Sequence, residues 1–321
     1  MTAAASPEVS VVLPVRNGMP FLPAAVDSLL HQTFRNFELL VIDDGSTDGT
    51  ADYLRGLADH RVRVLSSPSA GLASALNAGL AVARGRFIAR HDADDRSAPE
   101  RLERQVAWLH DRPDVDVLAT AASFVNDLDE PIDSPWTRTV HEQWDAALAP
   151  DQIATLMPLT CCIFHATVMA RAAILREAGG YDQATVPAED YDLWLRLLPT
   201  HRFARLPDRL YTVRLHAASS SAVRRAEQTA RVIEAKLRYV RRQVPCLPWP
   251  VRMALPCADR GADLFRRVGP AVGYEPTTGE DAALTSATVV AVTDFAALPG
   301  YASTLAATND YQQFGNVFVR R

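Results

Sequence analysis

The chain has 321 residues, a formal net charge of -5 and 22% charged residues, enough for one large α/β domain or for roughly 200–250 residues of domain plus an appendage. An acidic balance excludes a general nucleic-acid field and leaves only local basic clusters for phosphate. The first ten residues carry neither a basic nor an apolar signal region, and no run approaches the ~18 apolar residues of a span, so a cytoplasmic location is expected, with contact at the inner face of a membrane left open.

Val9–Ser10–Val11–Val12–Leu13 is a β-branched run closed by Pro14, the pattern of a buried parallel strand. Phe21, Ala25 and Leu29, and Leu22, Val26 and Leu30, recur at four-residue spacing and predict a helix on a sheet. Glu38–Leu39–Leu40–Val41–Ile42 is the next strand, followed by a helix over about 51–58, a strand over 61–65, a helix marked by Leu72, Leu76 and Leu80, and a strand over 86–90. Ser97–Ala98–Pro99–Glu100 reads as a capping box with proline in the first turn, opening a helix through Leu102, Val106 and Leu109. A strand over 115–119 completes an alternation of strand and helix that predicts a doubly wound sheet.

From 121 to about 158 the pattern loosens into an excursion over one side of the sheet. Beyond it lie a strand over 167–170, a helix over 171–178 closed by Gly179–Gly180, a helix opened by Glu189–Asp190, a strand over 209–215 and a long basic helix over about 222–242. That basic face reads first as a solvated surface and second as a contact for anionic lipid. Prolines 245, 248, 250 and 256 then break the chain, and the remainder reads as a small, mainly helical appendage. Cys161, Cys162, Cys246 and Cys257 do not match zinc spacing and read as buried thiols.

Ligands of open α/β sheets bind beyond the carboxyl ends of the strands. Three polar clusters fall there: Pro14–Val15–Arg16–Asn17–Gly18, Asp43–Asp44–Gly45–Ser46 and Asp92–Ala93–Asp94–Asp95. Three carboxylates within four residues repel one another unless a cation compensates, and oxygen ligands of this kind suit Mg²⁺ or Mn²⁺. On spacing alone, a solvated turn explains the run equally well, and Asp48 explains the second cluster as a helix cap. The glycine spacing matches neither a dinucleotide fingerprint nor a P-loop. Glu189 and Asp190 in a first helical turn are accounted for by the helix dipole alone.

These motifs, together with Gln32–Thr33–Phe34, Gly71–Leu72–Ala73–Ser74–Ala75–Leu76–Asn77–Ala78–Gly79, Gly179–Gly180–Tyr181–Asp182 and Glu189–Asp190–Tyr191–Asp192–Leu193–Trp194, resemble in order and spacing the inverting family 2 glycosyltransferases with a GT-A fold. The resemblance covers about residues 10–220. It implies an α/β fold with a mostly parallel sheet over 1–220, a donor half at about 8–120, an acceptor half at about 121–220, and an extension over 221–321. It implies that Pro14, Val15, Arg16, Asn17, Asp44, Asn77, Asp92, Ala93, Asp94, Arg214 and His216 face a nucleotide sugar, with Ser219 beside them. Asp94, Asp95 and His216 are implied metal ligands for Mg²⁺ or Mn²⁺, Asp190 the catalytic base, and Glu189 and Trp194 the acceptor side. Arg16 replaces a more usual aromatic residue, and His91 a more usual apolar one.

The implied reaction is a single displacement at the anomeric carbon, from a UDP-, GDP- or dTDP-sugar to a saccharide or lipid-linked acceptor hydroxyl, in cell-surface polysaccharide or glycoconjugate synthesis. A sugar-phosphate nucleotidyltransferase is the first rival, disfavoured by the single glycine and single arginine over 14–20. A non-catalytic nucleotide-sugar-binding protein is the second.

Overall fold

The computed structural model of the protein describes residues 6–67, 70–158, 161–216 and 224–243, together with five short strands after residue 250. The chain divides into two compact units, Met1–Ala154 with Cys162–Val223, and Thr155–Cys161 with Arg224–Arg321.

The first unit begins with β1 (Val9–Val15), α1 (Leu22–Leu30), β2 (Phe37–Asp43), α2 (Thr50–Arg55), β3 (Val62–Ser66), α3 (Leu72–Val82) and β4 (Phe87–Arg90). It continues with β5 (Arg96–Ser97), α4 (Arg101–Asp111), β6 (Val117–Val125), α5 (Pro135–Trp144), α6 (Pro150–Leu156), β7 (Met169–Arg171), α7 (Ala172–Glu177), α8 (Glu189–Leu197) and β8 (Phe203–Arg214). The sheet order is β3-β2-β1-β4-β7-β6-β8-β5. β3, β2, β1 and β4 are parallel, as the alternation of strand and helix predicts. β7 then enters antiparallel to both β4 and β6, because it follows the long 126–168 excursion and no right-handed helical crossover sets its direction.

β1 and β2 are buried almost throughout because helices cover both faces. Val9, Val11, Leu13, Leu22, Val26, Leu29, Leu39 and Val41 form one core with Phe87, Leu102 and Leu109. Each such side chain contributes about 1.5–3 kcal/mol relative to exposure. The apolar strands therefore stop together, and their polar successors meet at one end of the sheet.

Two expectations fail here. Ser97 does not cap α4: the N-cap is Glu100 without a side-chain bond, and Ser97 pairs with Tyr211 of β8. A long-range strand pairing overrides the local capping signal, and the Ser97 hydroxyl instead accepts from Arg101 Nη1 at 3.0 Å. A capping box exists at Ser134, whose hydroxyl accepts from the Thr137 N–H and starts α5. The second departure lies in the other unit. It opens with α9 (Arg225–Gln243), as expected, but its other described segments are strands: β9 (Val251–Ala254), β10 (Tyr274–Thr277), β11 (Val289–Ala291), β12 (Tyr311–Phe314) and β13 (Val317–Arg320). They form a sheet of order β10-β9-β11-β13-β12. Short β-branched and aromatic runs such as Val289–Val290 and Val317–Phe318–Val319 are poor seeds for a helix. Cys246, Cys257 and Ser219 lie outside the described residues; Cys162 is buried, as expected, and Cys161 only partly so.

Candidate active site

The site grows from the ends of β1, β2, β4 and β8. After β1, Asn17 takes a positive φ of 54° and ties two loops together: its N–H donates to Ser46 Oγ at 2.9 Å, and its Oδ1 accepts from the Thr47 N–H at 2.8 Å. Pro14 and Val15 are buried, while Arg16 is exposed beside them. Asp44 is 3% exposed, and its two oxygens accept from the N–H groups of Ala70 (3.0 Å) and Gly71 (2.9 Å). The expectation placed Asp44 against a base; in the structure it holds the loop before α3 closed.

β4 delivers the acidic run. Arg90 ends the strand with only 5% exposure and forms an ion pair with Asp92. The Asp92 N–H donates to the Tyr211 hydroxyl at 3.0 Å. Ala93 packs partly against the core. Asp94 and His216 meet, with Asp94 Oδ2 2.8 Å from His216 Nε2. Burial, then the charge of Asp92, pushes the Asp94 carboxyl above the usual range, against the opposing hydrogen bond from His216. His216 also packs on Phe21, with ring centroids 5.4 Å apart.

Asp95 is 4% exposed and accepts the Arg214 N–H at 2.7 Å. Burial and the charges of Asp92 and Asp94 raise its carboxyl strongly. Asp95 thus braces the acidic loop to β8 through Oδ1. Arg214 completes the brace. Its guanidinium donates to the carbonyls of Asp94 (3.1 Å) and Asn126 (2.8 Å), pairs with Asp129, and covers the Phe21 ring at 4.6 Å.

Glu189 and Asp190 open α8, where the helix N-terminus favours negative charge. Burial, then the charge of Asp190, lifts the Glu189 carboxyl to about 7, and its Oε2 has no hydrogen-bond partner among the described residues. Asp190 is raised as well, by burial, against the Tyr191 N–H and the positive charge of Arg90. Arg90 and Asp92 act electrostatically on both acids of α8, so the two acidic groups share one neighbourhood.

Two further assignments change. Trp194 is fully buried, edge-on to His165 and Phe203 at 5.9 Å each. Five residues along a helix is about 140° away from Glu189, which turns the indole into the core and away from any acceptor. Asn77 is occupied at both ends of its amide: Nδ2 donates to the Tyr181 carbonyl at 2.7 Å, and Oδ1 accepts the Tyr181 N–H at 2.8 Å. It clamps the Gly179–Gly180 turn. At Gly180 φ is +70°, and an added Cβ would lie 2.3 Å from Asn77 Oδ1, so only glycine fits.

His91 lies beneath the acidic run, and its buried Nε2 has no hydrogen-bond partner among the described residues. It is fully buried, its Nδ1 lies 2.7 Å from the Asp92 carbonyl, and burial followed by the charge of Arg101 holds its pKa well below the ordinary value. A neutral ring with Nδ1–H donating is the consistent tautomer.

Sequence reasoning missed Arg90, Arg101 and Tyr211. Arg101 is fully buried beneath the acidic loop, donating to Ser97 Oγ, Gln105 Oε1 and the carbonyls of Arg90 and Ala166. Its signal was available: Arg101 and Gln105 fall at i, i+4 spacing beside the apolar Leu102, Val106 and Leu109.

Among the described residues no group of three or more His, Cys, Asp or Glu is arranged to hold a metal ion, and no helix is long and apolar enough to cross a membrane. Asp94 and His216 offer one carboxylate and one imidazole that already meet. That donor set fits Mn²⁺ or Mg²⁺ if phosphate oxygens and water supply the other ligands.

A mixed α/β sheet with paired acids beyond its strand ends is the architecture of the nucleotide-sugar transferases of GT-A type. The profile of Glycosyl transferase family 2 matches residues 10–177, just over half of the chain, and the protein belongs to that family. It is 29% identical over 218 residues to the O-antigen biosynthesis glycosyltransferase WbnJ of Escherichia coli, covering 66% of this chain and 81% of the relative. Solved structures share its fold, two of them with bound nucleotide sugars. S. aureus TarS 1-349 in complex with UDP-GlcNAc aligns with a TM-score of 0.57 and 20% identity, over 71% of this chain and 66% of that one. The mannosyltransferase PcManGT from Pyrobaculum calidifontis, in complex with GDP-Man and Mn2+, aligns with a TM-score of 0.57 and 24% identity, over 73% and 65%. The chain therefore spans slightly less than two thirds of either solved chain.

Proposed function

We propose that the protein is an inverting glycosyltransferase that moves a sugar from a nucleoside-diphosphate donor to an acceptor hydroxyl. The observation that carries this reading is the pairing of two acidic groups, Asp92–Asp95 after β4 and Glu189–Asp190 at the start of α8, in one electrostatic neighbourhood around buried Arg90. Asp94 and His216 are the residues that would hold Mn²⁺ or Mg²⁺, which when bound neutralises charge on the departing diphosphate. Arg16, Asn17 and the Asp44 loop lie on the nucleoside side.

Asp190 takes the proton of the acceptor hydroxyl as that oxygen attacks the anomeric carbon. Because the pocket opposes ionisation of Asp190, its carboxylate is a stronger base than an exposed one. No leaving-group acid of the glycosidase kind is needed. A single displacement inverts the anomeric centre. The UDP-GlcNAc and GDP-Man complexes of the structural relatives favour UDP- and GDP-sugars as donors, and dTDP-sugars belong in the same screen. The named role of WbnJ in O-antigen biosynthesis supports a saccharide or lipid-linked acceptor in surface polysaccharide synthesis. We place the catalytic domain at 1–220, with 221–321 as a separate extension.

Asp190→Asn tests this reading. Donor affinity should stay within about twofold while turnover falls roughly 10²–10⁴-fold, and NMR of the wild-type product should show the inverted anomer. Normal turnover by Asp190→Asn, or a retained anomer, would overturn it.

A further inference from the structure

Four arginines are buried among the described residues: Arg90, Arg101, Arg205 and Arg214. Three of them have protein acceptors for their guanidinium groups. Arg101 donates to two side chains and three carbonyls, Arg205 to the carbonyls of Ala146 and Cys162, and Arg214 to two carbonyls and Asp129. Arg90 differs. It pairs with Asp92, yet its buried Nε has no hydrogen-bond partner among the described residues. A buried guanidinium N–H left without an acceptor is destabilising, and native interiors rarely tolerate one. Partly exposed Arg61 also leaves Nη1 without a partner, but the open donor of Arg90 lies on a buried side chain paired with the acidic run, and there it points to a ligand.

The location of Arg90 limits what that ligand can be. Its guanidinium pairs with Asp92, and its charge favours the ionised forms of Asp95, Glu189 and Asp190 alike. In a single displacement the transferred sugar lies between the diphosphate and the acceptor base. Arg90 pairs with the acidic run and acts on both acids of α8, which on that reading assigns it to the middle of the donor. A guanidinium donor beside an Asp92 carboxylate matches a hydroxyl, which both accepts and donates.

We propose that Arg90 is a donor-sugar-binding residue, its Nε–H donating to a hydroxyl of the transferred sugar while Asp92 orients the guanidinium. The assignment rests on the glycosyltransferase reading above and adds to it a residue that reads the sugar rather than the nucleotide.

The test compares nucleotide sugars with bare nucleotides. Binding of UDP, GDP, UDP-GlcNAc, UDP-glucose and GDP-mannose, each with Mn²⁺, is measured by calorimetry for wild type, Arg90→Lys and Arg90→Met. The best-bound sugar nucleotide should weaken at least about tenfold in Arg90→Met and by less in Arg90→Lys, while its bare nucleotide stays within about twofold. Equal losses for sugar nucleotide and bare nucleotide, or no loss for either, overturn the proposal. Absence of any nucleotide binding by wild type overturns the glycosyltransferase reading itself, a separate outcome. If circular dichroism shows that neither variant folds, ¹⁵N-arginine-labelled wild type decides. Sugar nucleotide must move one protected Nε–H signal that the bare nucleotide leaves in place; a spectrum identical with both ligands counts against Arg90.

Discussion

The two ends of the parallel strands treat buried acids in opposite ways. At the amino ends, one acid, Glu38, is surrounded by partners: Ser10 Oγ at 2.7 Å, Arg63 Nη1 at 2.8 Å, and the Arg84 backbone N–H and guanidinium at 2.7–3.0 Å. Burial alone would raise this carboxyl, but the hydrogen bonds from Arg84 and Arg63 override it and bring the pKa down from 4.5 to about 2. At the carboxyl ends, Asp94, Asp95, Glu189 and Asp190 are all raised, and burial is the first cause for each. The amino ends are electrostatically complete and serve the fold. The carboxyl ends hold excess negative charge that a cation and a ligand can relieve, and this incompleteness marks them as the candidate site.

Four substitutions sharpen the contrast. Asp94→Ala has the largest expected effect, a fall of about 10²–10³-fold in turnover from loss of charge stabilisation on the leaving group, with the melting temperature nearly unchanged. Glu38→Gln should do the reverse. It should lower unfolding stability by on the order of 2–3 kcal/mol at neutral pH in denaturant titration, discounted where Arg63 and Arg84 reach solvent, and leave kcat/KM alone. Similar kinetic and stability profiles for these two variants would break the comparison.

The pH dependence has opposite signs at the two ends. Glu38 has a lowered pKa, so its contribution is present above about 4.5 and is lost as pH falls toward 2. Glu189 has a raised pKa, so the fold loses stability as pH rises through about 7. The acid limb of kcat/KM should therefore lie above the ordinary carboxylate range and belong to the Glu189–Asp190 pair jointly. Glu189→Gln should move that limb downward in a pH–rate profile; an unmoved limb would separate the two acids.

The smallest effect is expected at Trp194. Its indole N–H is buried without a hydrogen-bond partner among the described residues. Trp194→Phe removes that unmet donor while leaving a small void, so stability should change by only about 1 kcal/mol. The acceptor KM should stay constant, and a marked rise would return Trp194 to the acceptor side.

Much of this was legible from local pattern. Continuous β-branched runs marked β1 and β2, and the clusters following them marked the candidate site, because a chain that leaves a buried strand must turn polar where the sheet ends. What escaped was set by distant partners. Ser97 looks like a cap until Tyr211 of β8 draws it into a strand. Asn77 looks like a ligand-binding amide until Tyr181, 104 residues away, occupies both of its ends. Arg90 looks like a surface residue closing a short strand, and only the assembled sheet buries it beside Asp92. In the second unit, short apolar segments separated by prolines gave no period long enough to distinguish helix from strand.

The most direct test of the central claim is calorimetry of UDP-GlcNAc and GDP-mannose binding, with and without Mn²⁺, to wild type and to Asp94→Ala. The account predicts that at least one donor binds wild type at least about tenfold more tightly with the metal than without it, and that Asp94→Ala erases this gain. Equal donor affinity in all four conditions would contradict it.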